Sequence, residues 1–73
     1  MNNELDARGL LCPLPVLKAR KRLQAMSRGD ELTMLADDPA AVIDVPHFCA
    51  EAGHELIAQH EADDHQVYTL RKG

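Results

Sequence analysis

Residues 8–23 read RGLLCPLPVLKARKRL, and the fold turns on this stretch. Its two halves obey different backbone rules. Pro13 and Pro15 carry no N–H and suit the first turn of a helix, where an amide has no partner. Each also pushes the residue before it toward extended geometry, so Cys12 and Leu14 are expected to be extended and a helix to open at Pro13 or at Pro15. Beyond them the pattern is helical. Val16, Ala19, Leu23 and Met26 recur at spacings of three and four with Leu17 beside them, while Lys18, Lys21 and Arg22 fall on the other side. Gly29 fits the stop of that helix. Cys12 therefore stands just outside the first turn of an amphipathic helix, in a stiff loop that begins at the Arg8–Gly9 bend.

Upstream, NELDA (3–7) predicts a first strand, and downstream ELTMLA (31–36) predicts a second that DDP (37–39) breaks. In AAVIDVPHFCAEAG (40–53), Pro46 costs an uninterrupted helix one bond. The expectation is a short turn over 39–43 and a helix from near Pro46 capped by Asp44, with Asp37 and Asp38 also read as capping carboxylates rather than acid–base groups. Gly53 ends it. HELIAQHE (54–61) and QVYTLRK (66–72) predict a strand pair joined by a turn at ADDH (62–65). The order β-α-β-α-β-β predicts an α/β fold, a two-layer α/β sandwich with a four-stranded mixed sheet and two helices on one face. One domain is expected over residues 1–73, without repeat or linker.

A chain of 73 residues with one Phe, one Tyr and no Trp has a thin, aliphatic core and little room for a deep substrate cavity. A surface site used by protein partners is the expectation. The net charge is −4, yet six of the eight Lys and Arg lie between Arg8 and Arg28, a stretch without Asp or Glu. Lys18, Lys21 and Arg22 are thus the expected docking face for an acidic partner. The acidic total and the scarcity of aromatics argue against direct nucleic-acid binding. MNNELDARG lacks the basic and apolar regions of a secretory signal, and no apolar run approaches the ~20 residues of a membrane span. A cytoplasmic location with no membrane role, and with reduced thiols, is expected.

A cysteine at a helix N-terminus in a basic stretch is expected to have a lowered pKa. Hydrolase chemistry requires a neighbouring base, and the four histidines, at 47, 54, 60 and 65, are remote in sequence. No C-x-x-C motif is present. Thiol exchange or group carriage remains, and it requires no enclosed pocket. Cys49 reads as a core residue, with a resolving thiol for Cys12 as the alternative. His47, Cys49 and His54 match no common zinc spacing, so no metal is expected; His54, His60 and His65 read as solvent-facing.

LDARGLLCPLPVLKARKRLQAM (5–26), followed by GDEL (29–32) and ADDP (36–39), resembles the TusA/SirA family of sulfur carrier proteins, through C-P-x-P at Cys12, Pro13, Leu14 and Pro15. The likeness continues through ADDPAAVIDVPHFCAEAGHEL and spans about Leu5 to Arg71. It implies the same two-layer sandwich, and a persulfide on Cys12 whose loop Gly9, Pro13 and Pro15 shape. It also implies a cysteine desulfurase as donor, a downstream sulfur-relay protein as acceptor, and no cofactor on this chain, the pyridoxal phosphate being the donor's. In one branch the relay ends in 2-thiouridine at the wobble position of tRNA. Related branches serve sulfur oxidation or other sulfur transfer, and a non-catalytic regulatory module is the alternative from another class. Leu11 and Leu14 stand where close relatives often carry polar or charged residues, and they make the rim of the thiol apolar.

Overall fold

A computed structural model describes residues 3–73. The elements are β1 (Asn3–Asp6), α1 (Leu14–Gln24), β2 (Glu31–Ala36), α2 (Ala41–Ala52), β3 (Glu55–Glu61) and β4 (Gln66–Arg71), in the expected β-α-β-α-β-β order. The sheet runs β1-β2-β4-β3. β1 pairs parallel with β2, and β4 pairs antiparallel with both β2 and β3, so the sheet is mixed. These pairings make β1, β2 and β3 run the same way. α1 and α2 each return against that direction and therefore run parallel to one another, with both N-termini at one end.

Strand alternation sets the core. Leu32, Met34 and Ala36 of β2 are buried, as are Gln66, Tyr68 and Leu70 of β4, while the residues between them are half-buried. In register, Leu5 lies opposite Met34 and Met34 opposite Tyr68, one apolar row across three strands. Pro15, Ala19 and Leu23 of α1 and Ala41, Val45, Phe48 and Cys49 of α2 turn inward. The side chains of both helices join those of the strands in one cluster, so both layers share one core. Gln66 is the polar intruder, and its Oε1 accepts the Tyr68 hydroxyl at 3.0 Å. Burial of that hydroxyl pushes the Tyr68 pKa up to about 12. Across the exposed face, Arg71 bridges Glu31 and Glu55 from three neighbouring strands, at 3.2 and 2.9 Å.

Three local expectations are corrected. α1 opens at neither proline: Leu14 is its first residue, Pro13 is the cap whose carbonyl accepts the Leu17 N–H at 3.1 Å, and Pro15 lies in the first turn. Gly29 does not stop α1, which ends at Gln24. The last turn tightens through Ala25 and Met26, and the Lys72 ammonium donates to the Leu23 carbonyl at 2.7 Å. Gly29 instead makes the turn into β2, at φ 91°. Finally, α2 runs unbroken from Ala41 to Ala52 through Pro46. Its buried stripe, Ala41, Val45, Phe48 and Cys49, lies on both sides of the proline. Burial of a Val or Phe contributes ~1.5–3 kcal/mol each, enough to offset the ~3 kcal/mol that an internal proline costs. Gly53 ends α2 as expected, in the left-handed conformation at φ 79°.

These packing assignments separate Leu23, which is fully buried, from Leu17, which is 47% exposed two turns earlier in the same helix. Leu23→Ala is expected to lower the unfolding free energy by ~2–5 kcal/mol, and Leu17→Ala by less than ~0.5 kcal/mol. Urea unfolding of the two variants checks this.

Candidate functional site

The loop between β1 and α1 is pinned to the loop between β2 and α2. The Gly9 N–H donates to Asp37 Oδ1 at 2.9 Å, and the Cys12 N–H donates to Asp38 Oδ2 at 2.6 Å. The other oxygen of the buried Asp38 carboxylate accepts the Ala40 N–H at 3.1 Å, just before α2 begins. One carboxylate thus ties the thiol-bearing residue to the entry of the second helix. Gly9 has φ 82°, which a residue with a Cβ adopts at a cost, so the bend after Arg8 requires glycine. The Cys12–Pro13 peptide is cis. Asp38 therefore serves the turn into α2 as the sequence suggests, but Asp37 serves the opposite loop. Asp44 is not a cap: Ala40 is the cap residue, and Asp44 lies inside the first turn of α2.

Cys12 is exposed and its thiol is free, while Cys49 is free and buried in the core cluster. Burial pushes the Cys49 thiol up, which makes it a poor nucleophile.

The electrostatics at Cys12 reverse the expectation from sequence. Its pKa is raised, chiefly because the Asp44 carboxylate is within hydrogen-bonding reach of the thiol, then by desolvation, then by the charges of Asp44 and Asp38. Both aspartates are distant in sequence and are brought in by the fold. The helix tip offers little to oppose them. Pro13 and Pro15 have no N–H, and the Leu14 N–H already donates to the Leu11 carbonyl at 2.8 Å. Arg8, the cation nearest in the loop, is engaged elsewhere. Arg8 donates from Nε and Nη2 to Asp6 at 2.9 and 3.0 Å, and these bonds hold the Asp6 carboxyl down at about 2.

Cys12 opens onto a groove of about 470 Å³ between α1 and α2. Pro13, Val16 and Arg20 form the α1 wall. Asp44, His47, Phe48 and Glu51 form the α2 wall. His47 Nε2 lies 2.7 Å from Glu51 Oε1, one turn apart on the same helix. The Arg20 guanidinium lies over the Phe48 ring, 5.7 Å from its centroid. The structure puts Lys18, Lys21 and Arg22 elsewhere. They line a second, smaller hollow with Leu5 and Ala25, and Arg22 donates to the Glu4 carbonyl at 2.9 Å. Of the basic run, only Arg20 shares the groove with Cys12. His54 and His65 are half-buried rather than solvent-facing: His54 stacks near Phe48 and accepts the Gly73 N–H at 3.0 Å, and His65 pairs with Asp64 at 2.8 Å.

Asp44, Arg20, His47, Phe48 and Glu51 are the residues that reading the sequence missed at the site. His47, Phe48 and Glu51 share a face of the helix expected from Pro46, and Asp44 joins that stripe, one turn before Phe48, because α2 is continuous through Pro46. Leu11 and Leu14, 68% and 46% exposed, flank the thiol along the chain.

A family model described as Sulfurtransferase TusA matches residues 3–72. The crystal structure of a SirA-like protein from Desulfitobacterium hafniense superposes with a TM-score of 0.84 at 27% identity, covering 100% of this chain and 99% of that one.

The raised thiol has a direct consequence. A group whose neutral form is favoured carries less thiolate at neutral pH, so removing the nearby charge must raise reactivity. Asp44→Asn is expected to lower the Cys12 pKa and to speed alkylation by iodoacetamide at pH ~7 several-fold, the gain tempered by the lower nucleophilicity of a less basic thiolate. The pH profile of alkylation, with Cys49→Ser as background, checks both sign and size. A profile that does not move toward lower pH contradicts the assignment.

Proposed function

This chain belongs to the TusA family of sulfurtransferases, and on that premise we propose that it carries sulfane sulfur as a persulfide on Cys12, accepting it from a cysteine desulfurase and passing it to a downstream relay protein. The observation that carries this reading is the position of Cys12 within the matched family region: of two free thiols it is the exposed one, held by Asp38 at the mouth of a groove. In loading, the Cys12 thiolate attacks the outer sulfur of the donor persulfide. The new Sγ–S bond forms as the donor's S–S bond breaks, and the donor cysteine leaves as thiolate and takes up a proton. Unloading repeats the exchange on the Cys12 persulfide, with the acceptor thiolate as nucleophile. No external electron is required in either direction.

At rest, Asp44 and Asp38 favour the protonated thiol. Loading therefore goes fastest when the partner brings a cation against these carboxylates, because that cation restores the thiolate. The exposed Leu11 and Leu14 supply apolar contact beside the sulfur. Lys18, Lys21 and Arg22 are the proposed docking cations for an acidic surface, reached from the β1 side rather than from the groove. The proposed setting is the cytoplasm, and the proposed destination of the sulfur is wobble-uridine 2-thiolation of tRNA through a protein relay, without direct contact with the RNA. The apolar rim at Leu11 and Leu14 favours one second reading, the same persulfide carriage into another sulfur pathway.

Intact-mass spectrometry after incubation with a cysteine desulfurase and cysteine tests the carrier. Wild type and Cys49→Ser are expected to gain the mass of one sulfur, reversed by reductant, and Cys12→Ser to gain none. Equal loading of Cys12→Ser, or no loading of wild type, contradicts the reading.

A further inference from the structure

The groove that begins at Cys12 has features that exchange between two proteins does not require. Its far end carries both signs of charge. α1 and α2 run parallel, so the groove leads from Cys12 and Asp44, at the two N-termini, to Arg20 and Glu51 about two turns along. Arg20 belongs to none of the ion pairs among the described residues, although two carboxylates line the same groove. Its guanidinium is held by the Phe48 ring instead, which leaves its donors for a ligand. Glu51 is held by His47, which orients one oxygen and leaves lone pairs on the other. Between the two ends the floor is apolar, from Pro13, Val16 and Phe48.

A guanidinium and a carboxylate lining one groove without pairing to each other are complementary to an α-amino-acid head, carboxylate to Arg20 and ammonium to Glu51. The separation then fixes the length of the ligand. α1 begins at Leu14, so Arg20 lies ~9 Å along the helix axis from its start, with Cys12 a short step beyond, and a helical side chain leans back toward the N-terminus and shortens the gap. A free amino-acid thiol is too short to bridge it. About two residues of extended chain with a persulfide, ~9–10 Å, reach from such a head to the sulfur.

We propose that the α1–α2 groove is a subsite for a small γ-glutamyl peptide thiol of the glutathione type, its amino-acid head between Arg20 and Glu51 and its sulfur at Cys12. The proposal rests on the reading of Cys12 as a persulfide carrier and adds a small-molecule donor to it. The exchange balances as written: the Cys12 thiolate takes the outer sulfur of RS–SH, the RS–S bond breaks as Sγ–S forms, and RS⁻ leaves to be protonated as RSH. Nothing is oxidised or reduced overall.

Reduced glutathione, titrated into isotope-labelled Cys12→Ser protein, tests the subsite without sulfur transfer. Saturable amide shifts are expected at Val16, Phe48, Glu51 and Ala52 in the millimolar range. Arg20→Ala in the same background, with its dispersed spectrum intact, should weaken binding roughly tenfold or more, and Arg20→Lys should recover part of it. In parallel, glutathione persulfide should add one sulfur to wild type in the mass spectrum. No saturable shift, or shifts that Arg20→Ala leaves as strong, overturns the subsite. Binding of glutathione to Cys12→Ser together with no loading of wild type by any persulfide overturns the carrier reading and leaves the subsite standing. Loading by a desulfurase without glutathione binding does the reverse.

Discussion

The Asp38 carboxylate is the constraint on which the site depends. It is 8% exposed and accepts one backbone N–H from Cys12 and one from Ala40. Hydrogen bonds to a charged acceptor contribute roughly 1.5–3 kcal/mol each, and a buried carboxylate left without donors costs several. The two bonds therefore lock together two loops that local sequence would leave independent. Because the second loop leads directly into α2, they also fix the start of that helix relative to the thiol. The position of Asp44, and with it the charge that Cys12 meets, follows from this tie.

The same tie explains why the thiol is not activated at rest. A helix N-terminus lowers a cysteine pKa when free amides point at the sulfur. Here two of the positions that would supply amides are prolines, and a third amide is spent on the Leu11 carbonyl. The stiffness that presents Cys12 is thus obtained by removing the donors that would have acidified it. With Asp44 and Asp38 on the other side, the balance falls toward the neutral thiol. For a carrier of reactive sulfur this is consistent with function. An exposed low-pKa thiolate would exchange with any disulfide or persulfide it met, whereas a protonated thiol exchanges where a cation offsets the aspartates.

The architecture was legible in the sequence because its signals are local. Period-two alternation in β2 and β4, the helical stripe of α1 and the Gly53 stop each lie within a dozen residues, and the structure follows them. What was misread depended on tertiary packing. Pro46 is a correct local signal of a broken helix, overridden by Val45, Phe48 and Cys49 packing against a sheet that the local sequence does not contain. That one override concealed the place of Asp44 in the groove, since Asp44 joins the stripe of His47, Phe48 and Glu51 only on a continuous helix. The charge at Cys12 was misjudged for a related reason. The stretch from Arg8 to Arg28 holds no acid, yet the field at the sulfur is set by residues 26 and 32 positions away, beyond the reach of any sequence window.

The basic run of α1 resolves into two populations once the helix is turned against the sheet. Lys18, Lys21 and Arg22 face the β1 edge, and Arg22 is partly consumed in holding that edge through the Glu4 carbonyl. Arg20 faces the other way, over Phe48 and into the groove. Positions 20 and 22 are separated by ~200° around a helix, so adjacency in sequence places them on opposite flanks. The positive stretch thus acts not as one steering patch but as a diffuse charge on one flank and a single oriented guanidinium on the other. Only the second shares a surface with the sulfur. In the function proposed above, recognition of whatever approaches Cys12 through the groove falls to Arg20, to the carboxylates of Asp44 and Glu51 and to the apolar floor between them, while the lysines act on encounter from a distance.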